Sequence, residues 1–174
     1  MKIIKDNLSF ARVYFSFLKE HSGSQGFSSA NWEIKSANQE LKKWQLIELD
    51  LKEIYEDILL VHHHHSMDGL ELIPPLGNRV MNALDNFKKM APEYSIHNKD
   101  CYNQILSKSN MEFNAVFLSR KPVTTIPEHQ KLIAKSGDLI HLDGLHRLIG
   151  WSYAGKFSEM YKSNKQKVTA FVAG

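Results

Sequence analysis

The sequence predicts an α+β protein with a small mixed β-sheet and helices packed around it. Two short segments rich in apolar and β-branched residues, Asn114–Leu118 and Val168–Val172, are typical of strands. A third strand-like segment, Asp138–Asp143, runs through one glycine into a segment with helical periodicity. Elsewhere apolar residues recur every three or four positions, which indicates amphipathic helices. Strands and helices are therefore expected to share one core.

The segment 1–60 is predicted to form a helical N-terminal extension. A first helix begins after Asp6 or Asn7 as its cap, and the Ser- and Gly-rich segment from His21 to Asn31 indicates a loop. Ser36 and Gln39 have capping-box spacing and predict the start of a second helix. The predicted apolar stripes are Leu8, Ala11, Phe15 and Leu18 in the first helix, and Trp44, Ile47, Leu51, Ile54, Tyr55 and Ile58 in the second. The extension covers residues 1–60 and a core covers 61–174, unless the two form one continuous domain.

The core is predicted to contain the sheet. Leu70 to Pro75 is expected to be extended, and Asn78 is a candidate cap for a helix. That helix has the stripe Val80, Met81, Leu84 and Phe87. The single cysteine, Cys101, is expected to be a buried small residue rather than a nucleophile. Helical turns are expected between Glu128 and Ala134, and a turn over Lys135–Gly137 precedes the Asp138 strand.

Composition narrows the classes of function. The formal net charge is only +3, so strong binding to nucleic acid by charge alone is not indicated. One cysteine excludes an internal disulfide and fits a reducing interior, and the segment 1–20 lacks the pattern of a signal peptide. No stretch of about 18 apolar residues occurs, so no membrane span is expected. These features predict a cytoplasmic protein.

The predicted strand–turn–helix junction contains residue types that are typical of phosphate-binding sites. Ile140 and Leu142 share one face of the strand, and Leu139, His141 and Asp143 share the other. Gly144 permits a sharp turn, and the amino end of the following helix attracts anions. Arg147 offers a guanidinium fork and His146 a group that titrates near neutral pH, while Asp143 could hold Mg²⁺ or position an acceptor hydroxyl. The alternative interpretation is structural: Asp143 caps the helix, His146 lies on the surface and Arg147 pairs with a carboxylate.

Four consecutive histidines, His62–His65, precede Asp68. Either a strand or a helix would align two of their imidazoles, so a transition-metal site is one interpretation. Adjacent residues converge poorly on one metal, and acid–base or ligand contact by a single histidine such as His64 is the better functional interpretation. A solvated loop is the alternative without a function.

The run Asp143-Gly144-Leu145-His146-Arg147, with a later Gly155, resembles the signature of the ParB/sulfiredoxin superfamily. The resemblance implies a strand ending in Asp-Gly, a helix opened by His-Arg, and a closing strand, here Val168–Val172. Members bind nucleotides at that junction: sulfiredoxin uses ATP, ParB proteins use CTP, and a branch of free-serine kinases phosphorylates a metabolite. The resemblance covers residues 70–174 by order of elements and the Asp143–Arg147 run by identity.

Three departures from the family pattern bear on function. The serine-kinase branch has a catalytic glutamate just after a proline, where this chain has Pro75, Leu76 and Gly77, so Glu71 or a histidine such as His64 is left as the candidate base. Sulfiredoxin has its reactive cysteine directly before His-Arg, where this chain has Leu145. An arginine-rich second box and a helix-turn-helix domain, as in ParB partition proteins, are not recognisable in the sequence.

The favoured hypothesis is a nucleotide-dependent phosphotransferase that acts on a small metabolite such as an amino acid. ATP or another nucleoside triphosphate with Mg²⁺ would bind at Gly144, His146 and Arg147, with Asp143 at the metal. Ser119 and Arg120, at the end of the Asn114 strand, would add charge beside the phosphates, unless they form an ordinary basic turn. The alternatives are a non-catalytic nucleotide-binding or protein-interaction module, and a DNA-associated or nuclease-like protein. A homo-oligomer or a protein partner would use the N-terminal helices.

Overall fold

The computed structural model describes residues 1–21, 27–61, 70–158 and 167–174. The described strands are β1 Lys2–Lys5, β2 Trp44–Leu49, β3 Ile58–Leu60, β4 Asn78–Arg79, β5 Val116–Ser119, β6 Leu139–Asp143 and β7 Val168–Ala173. The described helices are α1 Phe10–His21, α2 Phe27–Leu41, α3 Val80–His97, α4 Lys99–Ser109 and α5 Leu145–Tyr153. A π-helical turn covers Glu53–Asp57 and a 3₁₀ turn covers Pro127–Lys131. The predicted α+β class is confirmed.

Seven strands of the described chain form one mixed sheet in the order β1-β2-β7-β5-β6-β3-β4. β7 is parallel to β5, and β3 is parallel to β6, whereas the other neighbouring pairs are antiparallel. The antiparallel pairing of β5 with β6 puts the carboxyl end of β6 beside the amino end of β5. The Asp143 junction and the carboxyl end of β5 therefore lie at opposite ends of these two strands.

Helices cover both faces of the sheet and define two cores. On one face, α1 and α2 bury Val13, Phe17 and Ile34 against Phe117 and Phe171. On the other face, residues of α3, α4 and α5 pack against Val116, Leu118 and other strand residues. Neighbouring residues of β5 thus point to opposite cores, as the two-residue period of a strand requires.

Several predicted elements are confirmed. The strand segments at residues 114–118, 138–143 and 168–172 correspond to β5, β6 and β7. The helix predicted after Asn78 is α3, and the helix predicted after Gly144 is α5, whose residues Leu145, Leu148 and Ile149 are buried. Gly155 has a φ of +71° just past the end of α5, as a helix-ending glycine does. Cys101 is buried in α4.

The second helix predicted within the segment 1–60 is wrong. Trp44–Leu49 is strand β2, whose even-numbered Trp44 and Leu46 pack in one core and whose odd-numbered Ile47 and Leu49 pack in the other. A helical interpretation counted Trp44 and Ile47 as one stripe, because a spacing of three suits a helix and a strand with apolar residues on both faces shows no clear alternation. Pairing with β7 along its whole length decides the conformation.

Two further boundaries in this region also need correction. Residues 27–31 of the predicted loop belong to α2, and Ser36 and Gln39 lie inside that helix rather than at its start. α1 exists, but it buries Val13 and Phe17 while Phe15 is 70% exposed, so the predicted stripe was rotated.

The segment 1–60 does more than add helices to a core. It contains α1 and α2, and it also supplies β1, β2 and β3 to the sheet. β2 pairs with β7 from Trp44 to Leu49, so the first and last parts of the chain are neighbours in one sheet. No helix in the described residues is both long and apolar enough to span a bilayer.

A close approach of α4 to α5 at Gly150 gives a test of this packing. A Cβ at Gly150 would lie 2.6 Å from the Ile105 carbonyl oxygen and 3.0 Å from the Ser109 nitrogen, and backbone atoms cannot move aside cheaply. We expect Gly150→Ala to lower the free energy of unfolding by about 1–3 kcal/mol in urea denaturation, although alanine favours helices. Asn103→Ala, at an exposed position of α4, is the control and should be neutral or slightly stabilising. Equal stability of the two variants would contradict the packing.

Candidate functional site

A β-bulge sets the direction of Asp143. Leu118 pairs with His141, but the next residue of β5, Phe117, pairs with Asp143, so β6 has one extra residue at this point. Leu142 and Asp143 therefore both oppose Phe117, which packs in the α1–α2 core. Strict alternation predicted Asp143 on the face of Leu139 and His141. The bulge instead aims the carboxylate towards α1.

Arg147, one turn into α5, is held beside Asp143. Its Nη2 donates to Asp143 Oδ2 at 2.6 Å, and its Nη1 lies 2.5 Å from Glu20 Oε2, 2.8 Å from Asn114 Oδ1 and 2.9 Å from the Ala115 carbonyl oxygen. The residue is only 6% exposed. The guanidinium thus joins α1, the segment before β5, the end of β6 and α5. This arrangement matches the alternative interpretation, in which Arg147 pairs with a carboxylate.

His21 completes the charge network from the end of α1. Its Nδ1 lies 3.0 Å from the Phe17 carbonyl oxygen and its Nε2 lies 3.3 Å from Asp143 Oδ1. Since both neighbours are acceptors, the imidazolium form is favoured. Burial opposes a charged ring, but the hydrogen bond and charge of Asp143 outweigh it, so the pKa of His21 is raised.

Asp143 responds in the opposite direction. Burial by itself would raise the pKa of this carboxyl group, but the charge of Arg147 and the contacts with His21 hold the pKa well below its ordinary value. Asp143 is therefore ionised at neutral pH and stays so through mild acid. Its two oxygens face two cationic groups.

A cavity of about 470 Å³ opens beside this network. Its walls come from the end of α1, the first half of α2, the middle of α4, the carboxyl end of β6 and the amino end of α5. Trp32, which is 45% exposed, lines it, as do Lys108, Glu128 and His146. The volume lies in the range of small-molecule sites, and polar groups converge on it from several elements.

Glu33 is the unexpected member of this cavity. It lies on the buried side of α2, in line with Ala30, Ile34 and Ala37, and is 3% exposed. Burial raises the pKa of its carboxyl group well above the ordinary value, and the nearby charges of Asp143 and Glu128 raise it further. The cavity therefore contains two carboxyl groups whose pKa values are shifted in opposite directions, upward for Glu33 and downward for Asp143. Environments that separate the pKa values of neighbouring acids are typical of acid–base sites.

His146 lines the cavity and contacts a side chain of α4. Its Nε2 lies 3.4 Å from Cys101 Sγ. Burial raises the pKa of the Cys101 thiol to about 11, although a hydrogen bond with Tyr94 works the other way. The thiol is therefore not a nucleophile at neutral pH, in agreement with the sequence-based expectation. Its contact instead orients the imidazole of His146.

Gly144 is required by packing. Its φ is +112°, and a Cβ there would lie 2.7 Å from Val116 Cγ1. The N–H of Leu145, which starts α5, donates to His141 Nε2 at 3.0 Å. One backbone donor at the amino end of α5 is thus already satisfied within the protein.

Other residues predicted for the site lie elsewhere or outside the described residues. Ser119 ends β5 and Arg120 follows it, and both lie at the opposite end of these strands from Asp143 because β5 and β6 are antiparallel. Ser119 Oγ donates to the Lys121 carbonyl, and Arg120 Nη2 donates to Gln45. Glu71 is exposed and does not line the cavity. His64 and the rest of the His62–His65 cluster lie outside the described residues.

The donor set does not fit a magnesium ion on Asp143. Both carboxylate oxygens face cationic groups, and a third positive charge there would be repelled. Within the described ranges, no three His, Cys, Asp or Glu side chains are arranged to hold a metal ion. The guanidinium of Arg147 is not free to bind phosphate either, because it already has four acceptors. A phosphate would have to replace one of them.

Sequence reasoning missed Glu20, His21 and Glu33. Glu20 and His21 were at a predicted helix–loop boundary, and only the fold brings them to Asp143 and Arg147, which are distant in the chain. Glu33 did carry a signal, since it interrupts an apolar helical stripe, but the signal is visible only once α2 is placed correctly.

The fold defines an α+β protein with a cavity of small-molecule size at the carboxyl end of one sheet strand. A comparison with family models matches residues 1–174 to DUF6309, described as a family of unknown function, and the chain belongs to that family. No curated protein and no solved structure matches it. These comparisons give no link to the ParB/sulfiredoxin superfamily, so that resemblance stays a prediction.

Two glycines with positive φ test the role of Gly144. Gly144 and Gly137 have φ angles of +112° and +96°, but a Cβ at Gly137 would meet nothing within 4 Å. Gly137→Ala should lower the free energy of unfolding by about 1–2 kcal/mol through backbone strain alone. Gly144→Ala should cost about 1–3 kcal/mol more, because its Cβ also overlaps Val116. Matching losses in chemical denaturation would show that packing does not require the glycine.

The state of Glu33 can be tested by the pH dependence of stability. A carboxyl group with a raised pKa in the folded state stabilises the fold below its ordinary pKa, and that contribution is lost as the pH rises. Glu33→Gln mimics the protonated acid. The variant should therefore gain thermal stability relative to the wild type as the pH is raised from about 5 to about 9. Glu93→Gln, an exposed change on α3, is the control and should track the wild type. A constant difference between Glu33→Gln and the wild type would contradict the assignment.

Proposed function

We propose that this chain is an enzyme that binds a small polar metabolite in the cavity beside β6 and donates a proton to it from Glu33. The observation that carries the proposal is the pair of carboxyl groups that line one cavity, Glu33 with a raised pKa and Asp143 with a lowered pKa. A buried acid that neighbouring carboxylates push towards neutrality lowers stability whenever it ionises. Strongly perturbed acids of this kind cluster at functional sites.

The other groups around the cavity have complementary roles. Asp143 and Glu20 face Arg147 and His21, and these four groups form a charge-balanced wall whose geometry is fixed by several short contacts. The imidazole of His146 contacts Cys101 and offers its ring nitrogens as a hydrogen-bond donor and acceptor. Trp32 at the wall offers an aromatic face to a flat group of the ligand. Together they suit a polar molecule that must be both oriented and protonated.

Nucleotide-dependent phosphoryl transfer is the second candidate reaction. It is favoured by the positions of Lys108, Arg147 and the amino end of α5 on one cavity. It requires a phosphate to replace an acceptor on Arg147, and the magnesium role of Asp143 finds no support in the geometry.

A non-catalytic binding module would use the same cavity without turnover. A protein partner through the N-terminal helices is compatible with the exposed Phe15 on α1, and a cytoplasmic location fits the single buried cysteine.

A ligand panel followed by turnover measurements tests the proposal. The panel contains nucleoside triphosphates with and without magnesium, phosphorylated metabolites, amino acids and sugars, each read by the shift in melting temperature. A ligand at 100 times its Kd stabilises the folded state by about 2.7 kcal/mol. Nucleotides acting only with magnesium would favour phosphoryl transfer.

The decisive variant is Glu33→Gln, measured with the ligand that the panel identifies. We expect it to bind with similar affinity but to lose about 10²–10⁴-fold in kcat, because the side chain keeps its shape and loses its proton. The exposed Glu93→Gln should have wild-type kinetics. Wild-type turnover by Glu33→Gln would rule out proton donation by this residue, and binding without turnover in the wild type would favour the non-catalytic module.

A further inference from the structure

The Nη1 nitrogen of Arg147 has more acceptors than hydrogens. It carries two N–H bonds but lies within 2.9 Å of three acceptors, Glu20 Oε2, Asn114 Oδ1 and the Ala115 carbonyl oxygen. If any one acceptor left, the other two could still satisfy both hydrogens. Breaking a buried hydrogen bond usually costs free energy because it leaves a donor unsatisfied. Here the loss of one acceptor would leave both hydrogens of Nη1 with a partner.

Glu20 is the only charged acceptor of these three, and its surroundings oppose that charge. Burial raises the pKa of its carboxyl group, the charge of Arg147 opposes this only in part, and the nearby charge of Asp143 raises it again. Glu20 also lies in the last turn of α1, where the helix dipole disfavours a negative charge. Asn114 and Ala115 carry no charge, and Asp143 has the contacts with His21 in addition to Arg147.

Glu20 is also reachable from the cavity. It lines the cavity together with Arg147, and its side chain is 17% exposed compared with 7% for Arg147. The guanidinium stays fixed without Glu20, because Asp143 holds Nη2 and the segment before β5 holds Nη1. A preorganised cation with one exchangeable carboxylate is a suitable seat for an incoming oxyanion.

We propose that Glu20 occupies the position of the ligand's own oxyanion, and that a ligand carboxylate or phosphate displaces it from Arg147. This inference rests on the proposed function only in taking the cavity as the ligand site. It adds the class of ligand, a small molecule with an oxyanionic group. It also makes Glu20 an internal competitor, since every binding event must first break its contact with Arg147.

Internal competition predicts how Glu20 variants bind anions. Glu20→Gln keeps the size of the side chain but removes its charge, so the competitor is weakened. Inorganic phosphate and acetate serve as probes of the two oxyanion types, with sodium chloride at equal ionic strength as reference. Saturable rises in melting temperature beyond the chloride effect report binding, and isothermal titration calorimetry gives the Kd.

We expect phosphate or acetate to bind the wild type weakly and to bind Glu20→Gln at least tenfold more tightly. The stronger of the two probes identifies the oxyanion type. The ¹H–¹⁵N signals of the Arg147 side chain should shift during the same titration, which places the ion on the guanidinium. Far-UV circular dichroism verifies that the variant is folded.

The Arg79–Asp138 pair provides a matched control. Asp138 binds Arg79 with both oxygens at 2.9 Å, and neither residue lines the cavity. Asp138→Asn should show no gain in anion affinity over the wild type. A similar gain there would mean that any weakened arginine–carboxylate pair recruits anions, and it would overturn the assignment to Glu20.

Three other results would overturn the proposal. They are equal anion affinity in the wild type and Glu20→Gln, binding to the variant but none to the wild type, and no binding to either. The outcome is separable from that of the proposed function. Glu33→Gln tests proton transfer through kcat, whereas the Glu20 experiment measures equilibrium binding of simple anions and needs no turnover.

Discussion

The buried guanidinium of Arg147 is the constraint on which the rest of the site depends. A charge that is 6% exposed is tolerated only with close partners, and the partners of this one come from three separate segments. Glu20 comes from α1, Asn114 and Ala115 precede β5, and Asp143 ends β6. Satisfying one cation therefore fixes where the two helical layers meet at this edge of the sheet. The cavity is the space that remains between them.

The carboxyl end of β6 also lies near an ionisable side chain that does not stabilise the fold. The cations Arg147 and His21 balance the carboxylates of Asp143 and Glu20, but Glu33 is buried where the nearby charges of Asp143 and Glu128 oppose its ionisation. A glutamine at that position would fill the same space without this cost. The fold thus places an acid whose pKa is raised on the same cavity as a carboxylate whose pKa is lowered. Functional sites commonly contain groups that lower the stability of the fold.

Local signals predicted the elements whose sequence agrees with their environment. The change of period at Gly144 predicts β6 and α5, and the apolar and β-branched content of their segments predicts β5 and β7. The spacing of Trp44 and Ile47 favours a helix over β2, but pairing with β7 at the far end of the chain makes this segment a strand. The candidate site divides in the same way. Asp143 and Arg147 were found from their spacing, but Glu20 and Glu33 reach them only through the packing of α1 and α2.

By itself the sequence determined the mixed α+β class and the strand–turn–helix with its polar corner, because both follow from the periodicity of neighbouring residues. The tertiary structure decided what that corner is. An extra residue in β6 turned Asp143 towards α1, and α1 supplied Glu20 and His21 to the ion pair. Bulges and long-range charge contacts depend on how distant segments align, and no local period records that alignment. The guanidinium of Arg147, which the sequence predicts to be open to phosphate, is therefore already paired with acceptors of the protein, and a cavity lies beside it.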